Sequence, residues 1–310
     1  MKNNLNPSKI VLFVYNRPHH TQKTLDALTR NFLAIDSELI IYSDGPKNDL
    51  EKNNVFAVRK IINETTGFKS INIFERSENY GLAKSVIQGV SEVLTNSPDV
   101  IVMEDDLETS PYFLLFMNEA LNFYREDKKA FSIGGYQFPS STMKMPTSYK
   151  FDTYSAYRCC SWGWATWRDR WSMIDWDISS YPQFMANPLM QKNFNRGGPD
   201  LTQLLEMQML GKVDSWAIRF CYAQFITDTY CITPVKTLVR NIGLDNSGVH
   251  CGVDPRREHQ SLDNSWLPKK FAPARFLNKR ILELYRVAFG PTPPSSRLFQ
   301  KIKNVIHRYM

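Results

Sequence analysis

The sequence has few cysteines and no long apolar run, and these two absences narrow the class of protein. Its five cysteines form no CxxC pair and no zinc-ligand spacing, so we expect reduced thiols. The strongest apolar runs, IVLFVY and VIVM, are far shorter than the ~20 residues that span a bilayer. The first ten residues also lack the apolar stretch of a secretory signal. We therefore expect a cytoplasmic protein.

The charge is distributed unevenly along the 310 residues, whose net charge is +7. From Lys269 to Met310 there are ten lysines and arginines, opposed only by Glu283. Two amphipathic patterns occur there, RFLNKRILELYRVAF and RLFQKIKNVIHRY, separated by GPTPPSS. Such a tail suits an anionic membrane surface, or its apolar side docks on the rest of the protein. Nucleic acid is not expected as a partner, because no base-reading motif occurs.

Strand-like and helix-like segments alternate over the first ~135 residues, which is typical of an open parallel sheet. The predicted strands are residues 9–15, 38–44, 70–75 and 99–106, and the predicted helices are residues 19–31, 50–65 and 82–95. After residue 131 glycines and aromatic residues crowd the chain, and helical patterns resume at residues 181–194, 200–210 and 214–225. We expect an α/β fold with a Rossmann-like half joined to a second half.

Each predicted strand ends in polar residues, among them Asn16 with Arg17, Asp44, and the triplet Glu104-Asp105-Asp106. Ligands of open α/β sheets bind at the carboxyl ends of strands. Three adjacent carboxylates repel one another unless a cation lies among them. Their hard oxygens, next to a diphosphate, favour Mg²⁺ or Mn²⁺. The alternative is an acidic turn that caps a helix starting near Ser110.

These segments together resemble a known family of enzymes. The strand followed by EDD resembles the DxD-type motif of GT-A glycosyltransferases. Together with GGYQFP, SWGWATWRDRW and DSWAIRF, it is similar to bacterial relatives of the N-acetylglucosaminyltransferase I family. The resemblance covers most of residues 8–252. It implies a GT-A domain over residues 1–252, with a nucleotide-sugar half at 8–135, an acceptor half at 136–252 and a basic helical tail at 253–310.

The resemblance also implies where a nucleotide-diphosphate sugar binds. Asn16 and Arg17 would hold the nucleoside and its diphosphate, and Arg17 can pair bidentately with phosphate. Asp44 would accept the N3 hydrogen of uracil, and Lys84 would reach a phosphate. The alternatives are a surface arginine on a helix-entry turn, an Asp-Gly turn and a plain helix start. Asp106 is the expected ligand of Mn²⁺ or Mg²⁺, with Glu104 and Asp105 beside the donor.

Catalysis requires a base for the acceptor hydroxyl. Asp214 resembles the catalytic aspartate of the family, since it precedes Trp216 and Arg219 as that residue precedes its own Trp and Arg. The resemblance also implies that the reaction inverts the anomeric configuration of the transferred sugar. The alternatives are that Asp214 only caps a helix, or that Glu206 is the base. The family often has two successive acids at this point, whereas this chain has Asp214-Ser215.

Aromatic residues and one loop complete the candidate site. We expect one of Trp162, Trp164 and Trp167 to face the sugar and the others to be buried, and we include Trp216 as a further candidate for stacking on the sugar. The loop at residues 239–251 resembles the family's lid over the nucleotide. Within it, His250 is a candidate phosphate or metal contact, although a lone histidine is more often structural.

The sequence therefore predicts an inverting, metal-dependent transfer of a sugar from a nucleotide diphosphate to a glycan or lipid-linked glycan acceptor of the bacterial surface. The resemblance implies a uridine diphosphate sugar, with UDP-N-acetylglucosamine as one candidate. The basic tail would hold the protein at the inner face of the cytoplasmic membrane. Two alternatives are a sugar-nucleotidyltransferase and a non-catalytic protein that binds sugar nucleotides or membranes. The N-terminal Asn16-Arg17-Pro18 lacks the glycine-rich signature that the first alternative needs.

Overall fold

A computed structural model of the chain describes residues 7–245 and 260–290. It contains ten strands, β1 to β10 in chain order: Lys9–Val14, Glu38–Ser43, Ser70–Glu75, Asp99–Glu104, Leu107–Thr109, Ala130–Gly134, Thr153–Ala156, Trp164–Trp167, Tyr230–Pro234 and Val239–Asn241. Eight of them form one sheet in the order β3-β2-β1-β4-β8-β6-β9-β7, and β5 pairs with β10 in a second, small sheet. The described part of the chain is thus an α/β structure around one large sheet.

The first half of the sheet is parallel, as predicted. Strands β1 to β4 pair in parallel register, and their ends differ by at most two residues from the predicted strands. Helices α1 (Pro18–Thr29), α2 (Lys52–Glu64) and α3 (Leu82–Asn96) connect them. The central strands β1 and β4 are almost wholly buried, which explains their unbroken apolar sequences.

The second half is mixed in direction. After α4 (Phe113–Tyr124), β8 enters the sheet antiparallel to both β4 and β6, while β9 runs parallel to β6 and antiparallel to β7. The short helix α5 (Arg168–Trp171) follows β8, and α8 (Leu201–Met209) and α9 (Trp216–Ile226) lie further along the chain.

The helix predicted at residues 181–194 is two helices, α6 (Tyr181–Met185) and α7 (Pro188–Phe194), so that prediction was wrong in its length. Pro188 has no N–H to continue the first helix. Asn187 instead starts the second, since its side-chain oxygen accepts hydrogen bonds from the N–H groups of Leu189 and Met190 at 3.1 Å.

A hydrophobic core lies on each face of the sheet. One core includes residues of α1, α2 and α4, and the other includes residues of α3, α8 and α9. Strand β8 contributes to both, because successive side chains of a strand point to opposite faces. Trp167 belongs to the first core and Trp164 to the second.

The first amphipathic pattern of the tail forms helix α10 (Lys279–Ala288), whose apolar side packs on the domain. Ile281, Tyr285 and Ala288 are buried in a third apolar cluster that includes Phe138 and Tyr154. Of the two interpretations left open for this stretch, docking is therefore confirmed for α10. The second pattern, at residues 297–309, lies outside the described residues. No helix in the described part of the chain is long and apolar enough to cross a membrane.

We predict that Ile281→Ala lowers the free energy of unfolding by about 2–5 kcal/mol, because the side chain is fully buried beneath α10 and truncation leaves a cavity. Denaturant unfolding of the full chain measures this change. Val287→Ala on the same helix is the matched control. Its side chain is 59% exposed, so the change should stay within about 0.5 kcal/mol. Equal, small effects of both substitutions would contradict the docking of α10.

Candidate active site

The centre of the candidate site is the acidic triplet at the end of β4. Glu104 is the last residue of that strand, and Asp105 and Asp106 follow in the turn before β5. Both aspartates are buried, at 4% and 3% exposure. Arg17, in the loop between β1 and α1, forms ion pairs with both: its Nη2 contacts Asp105 and lies 3.0 Å from Oδ2 of Asp106. The structure thus brings together side chains from two adjacent strand ends.

The single positive charge of Arg17 does not balance the negative charges of Glu104, Asp105 and Asp106. Burial raises the pKa of Glu104 to about 8, and the charges of Asp106 and Asp105 act in the same direction. Burial also raises the pKa of Asp105, although the Arg17 guanidinium opposes that shift. Three carboxylates held this close in a poorly solvated turn are stabilised in their ionised form by a further cation.

The donor set fits a hard divalent cation that is shared with a ligand. Oδ1 of Asp106 is buried and has no hydrogen-bond partner among the described residues. Residues 7–245 and 260–290 contain no group of three His, Cys, Asp or Glu side chains arranged to hold a metal ion by themselves. This agrees with the usual mode of Mg²⁺, in which one or two carboxylates bind and phosphate oxygens and water complete the shell.

The segment after β10 lies directly on the acidic pair. The N–H of Ile242 donates to the carbonyl oxygen of Asp106 at 2.8 Å. A Cβ atom on Gly243 would overlap Oδ2 of Asp106 and lie 2.8 Å from Nη1 of Arg17. A side chain at this position would displace the Asp106 carboxylate and the Arg17 guanidinium, a constraint that the sequence alone did not reveal. The rest of the predicted lid, with His250, lies outside the described residues.

Asp44, after β2, organises a neighbouring loop. It is 7% exposed, and its Oδ1 accepts the N–H groups of Gly45 and Tyr80 at 3.1 and 2.9 Å. Its Oδ2 accepts the N–H of Gly81 at 2.9 Å. The carboxylate has about four acceptor positions, so about one remains for a ligand. The Asp-Gly turn weighed as an alternative is present, but Asp44 also anchors the backbone of residues 80 and 81.

Two cations enclose the ring of Tyr80 in that loop. The Arg76 guanidinium lies 4.4 Å from the ring centre, and Nζ of Lys84 lies 4.1 Å from it. Lys84 is thus positioned by an aromatic ring, a contact that the sequence analysis missed because strand β3 must first bring Arg76 beside it. Asn16 is half-buried in the loop that also carries Arg17.

Asp214 precedes α9 but does not cap it. The cap is Ser215, whose Oγ accepts the N–H of Ile218 at 3.3 Å, so the helix-capping alternative for Asp214 was wrong. The Asp214 side chain is 67% exposed and pairs with Arg219, whose Nη2 lies 3.0 Å from its Oδ1. Glu206, the other candidate base, lies on an exposed part of α8.

Three of the four tryptophans considered for the site are buried in the core, and the fourth, Trp162, is half-buried. Trp164 and Trp167 are 0% and 1% exposed, which confirms the expected burial of two of the three tryptophans in WGWATW. Trp164 stacks on Trp216 with ring centres 4.8 Å apart, and Trp216 is itself 3% exposed. The prediction that Trp164 and Trp216 stack on a sugar is therefore wrong, because their faces are used in the core. Trp162 is half-buried and packs edge-on against Tyr136 at 4.5 Å.

A cavity of about 170 Å³ adjoins Trp162. Its wall includes Val213 and Ser215, the two chain neighbours of Asp214, as well as residues of α8, α9 and α10. We call it the acceptor-side cavity, since it lies in the half of the chain after residue 135. This cavity could not be predicted from the sequence, because its walls come from five separated segments.

Comparison with known proteins gives a family match over the part of the chain that contains strands β1 to β8 and the acidic turn. The model of the family described as glycosyl transferase family 2 matches residues 9–175. No curated protein matches the chain. Among solved structures, the chain is similar to a mannosyltransferase from Pyrobaculum calidifontis in complex with GDP-mannose and Mn²⁺, with 12% identity and a TM-score of 0.37. The match covers 54% of this chain and 48% of that one, so it spans about half the length of that structure. A relationship to the N-acetylglucosaminyltransferase I family is not shown.

We predict that Arg17→Ala raises the affinity for Mn²⁺ in the absence of nucleotide by roughly tenfold, since the guanidinium and the ion compete for Asp106. The same substitution should weaken binding of a nucleoside diphosphate, which loses a charged partner. Titration calorimetry with Mn²⁺ alone, and then with UDP, measures both effects. Arg30→Ala, an exposed arginine at the end of α1, is the control. An unchanged Mn²⁺ affinity in Arg17→Ala would contradict the competition.

Proposed function

The chain belongs to glycosyl transferase family 2, whose members use nucleotide sugars, and on that basis we propose that it is an inverting, metal-dependent glycosyltransferase. The donor is a uridine diphosphate sugar, with UDP-N-acetylglucosamine as a candidate, and the acceptor is a hydroxyl group of a bacterial surface glycan. The single observation that carries the proposal is the buried Asp106 after β4, whose Oδ2 pairs with Arg17 and whose Oδ1 has no partner in the described part of the chain.

The diphosphate would bind between Arg17 and the amino-terminal end of α1. No side chain caps the first turn of that helix, so its N–H groups and its positive dipole end are available to an anion. Arg17 adds a guanidinium that can hold two phosphate oxygens at once. Asp105 pairs with Arg17 and so orients it toward the donor.

The nucleobase would be read by Asp44. With three backbone N–H groups already bound, this carboxylate has about one acceptor position left. That position suits the single N3–H of uracil. Guanine presents two adjacent donors, N1–H and the exocyclic amino group, and would need two free acceptors. The hydrogen bonding of Asp44 therefore supports a uridine donor over a guanosine donor.

Asp106 would hold Mn²⁺ or Mg²⁺ through its free oxygen, with Glu104 and Asp105 adjacent. When bound, the ion would offset the negative charge of the departing diphosphate. Arg17 would stabilise the same charge from its own position, because it lies against the acidic pair.

Asp214 would be the general base. Its carboxylate takes the proton of the acceptor hydroxyl as that oxygen forms a bond to the anomeric carbon. The bond from the anomeric carbon to the diphosphate breaks in the same step, and its electron pair leaves with the diphosphate. One such displacement inverts the configuration of the sugar. Arg219 holds the carboxylate in place through their ion pair.

A lipid-linked acceptor would place the protein at the inner face of the cytoplasmic membrane. Lys279 and Arg280 are exposed at the start of α10, while the apolar side of that helix is used in packing. The remaining basic residues of the sequence after residue 290 add to this charge. Attraction to anionic lipid contributes about 1 kcal/mol for each basic residue near the surface.

We predict that Asp106→Asn and Asp214→Asn separate donor binding from transfer. With Mn²⁺ present, a uridine diphosphate sugar should raise the melting temperature of the native protein but raise that of Asp106→Asn much less, because the amide is a poor cation ligand. Asp214→Asn should keep the stabilisation by the donor and lose about 10²–10⁴-fold in the rate of transfer. Thermal unfolding with a panel of nucleotide sugars, followed by analysis of released UDP, measures both.

Asp26→Asn, an exposed carboxylate on α1, is the matched control and should behave like the native protein. Stabilisation by no nucleotide sugar, with or without metal, would contradict the proposed function. Stabilisation by guanosine donors alone would contradict the role of Asp44 while leaving the transferase intact.

A further inference from the structure

The acceptor-side cavity has the size of a site for one sugar residue. Its volume of about 170 Å³ is several times the ~30 Å³ share of a single water. It is smaller than the roughly 300–1,000 Å³ pockets that enclose drug-sized ligands. The cavity therefore has room for one ring and its substituents, and a longer glycan would extend from it into solvent.

The position of the cavity links it to the proposed base. Val213 and Ser215 both line it, and Asp214 lies between them in the chain with an exposed side chain. Trp162 forms another part of the wall. The cavity thus lies beside the backbone of the segment that carries the proposed base.

The wall is mainly apolar. Aromatic and aliphatic residues make up most of it, including Tyr136, Trp162, Leu204, Ile218, Tyr285 and Phe289. The thiols of Cys159 and Cys221, whose sulfur atoms are 2.9 Å apart, add a weakly polar surface. Hydroxyl groups pressed against such a wall lose their hydrogen bonds to water without replacement, whereas a methyl group loses nothing.

The one arginine of the wall is already occupied. Nη1 of Arg158 lies 2.7 Å from Oδ1 of Asp200, and its guanidinium lies 3.9 Å from the centre of the Phe289 ring. Its charge is therefore balanced within the protein, and the cavity does not offer a free cation to an acidic sugar. Ser215 is likewise committed, because its oxygen caps α9.

Most of the wall comes from residues outside the family match. Tyr285 and Phe289 are contributed by α10 and the residue that follows it, far beyond residue 175 where the match ends. Residues from α8 and α9 are also beyond that point. The shape of this cavity is thus a property of this chain, and it is where acceptor selectivity can differ within the family.

We propose that the acceptor-side cavity binds an acceptor sugar with a methyl-bearing substituent, such as a 6-deoxy or N-acetyl group, and that α10 determines this selectivity. The inference rests on the proposed function, of which it specifies the acceptor. The methyl group lies against the aromatic wall formed by Tyr285 and Phe289, and the rest of the acceptor extends toward the segment that carries Asp214.

The first test is ligand-observed NMR with the full chain, UDP and Mg²⁺, a diamagnetic ion, which leaves the donor site filled without turnover. The probes are pairs of methyl glycosides that differ in one group: N-acetylglucosaminide with glucoside, and fucoside with galactoside. We expect the methyl-bearing member of at least one pair to bind about tenfold more tightly, with the strongest saturation transfer at its substituent methyl protons. Equal affinities within both pairs, or tighter binding of a glucuronide, would overturn the proposal.

The second test uses variants of the wall. Phe289→Ala should reduce the preference within the pair several-fold by removing an aromatic contact, and Ala217→Leu should block both members by filling the space. Val287→Ala, exposed on the same helix, should keep the native preference. Thermal unfolding establishes that each variant is folded, and Ala217→Leu covers the case in which Phe289→Ala is not. An unchanged preference in folded Phe289→Ala or unchanged binding in folded Ala217→Leu would overturn the proposal.

Failure of this inference is distinct from failure of the proposed function. If UDP with Mn²⁺ stabilises the native protein but the glycoside pairs are not distinguished, only the acceptor proposal is wrong. If no nucleotide sugar stabilises the protein, with or without Mn²⁺, the transferase proposal fails, and the acceptor proposal fails with it.

Discussion

The concentration of negative charge at the end of β4 is the constraint on which the rest of the site depends. A glutamate with a raised pKa ends the strand and two buried aspartates follow it in the turn, and Arg17 alone among the described residues forms ion pairs with both aspartates. Such an arrangement costs stability unless its negative charge is balanced, and a cation bound there would stabilise it. The surrounding elements supply the contacts of this turn. The loop between β1 and α1 carries Arg17, and the segment after β10 contacts the turn through Gly243.

Much of the first half could be predicted from sequence because its signals are local. Apolar runs bounded by polar residues marked the four parallel strands, and the parallel order placed their carboxyl ends on one edge. The proximity of Arg17 to Asp105 and Asp106 followed from that rule. The partners of Asp44 did not, since its hydrogen bonds to the loop at residues 80 and 81 depend on how two neighbouring strands end.

The second half was less predictable because its contacts are remote in sequence. Trp164 and Trp216 were among the candidates for stacking on the sugar, but β8 lies between β4 and β6 in the sheet, and this position buries Trp164 against α9. Nothing in WGWATW itself indicates that pairing. The acceptor-side cavity was missed for the same reason, since α10 reaches it from the tail. The tail's amphipathic pattern predicted the helix and left open which surface its apolar side would contact.

The proposed function depends on Asp106 holding a divalent cation together with the donor diphosphate. The most direct measurement is anomalous diffraction at the manganese edge from crystals of the protein grown with UDP and Mn²⁺. We expect one strong manganese peak within the roughly 2.0–2.6 Å range of divalent ion–oxygen distances from Oδ1 of Asp106, with phosphate oxygens completing the shell. A bound nucleotide without a manganese peak at Asp106, or a peak held by other residues, would contradict it.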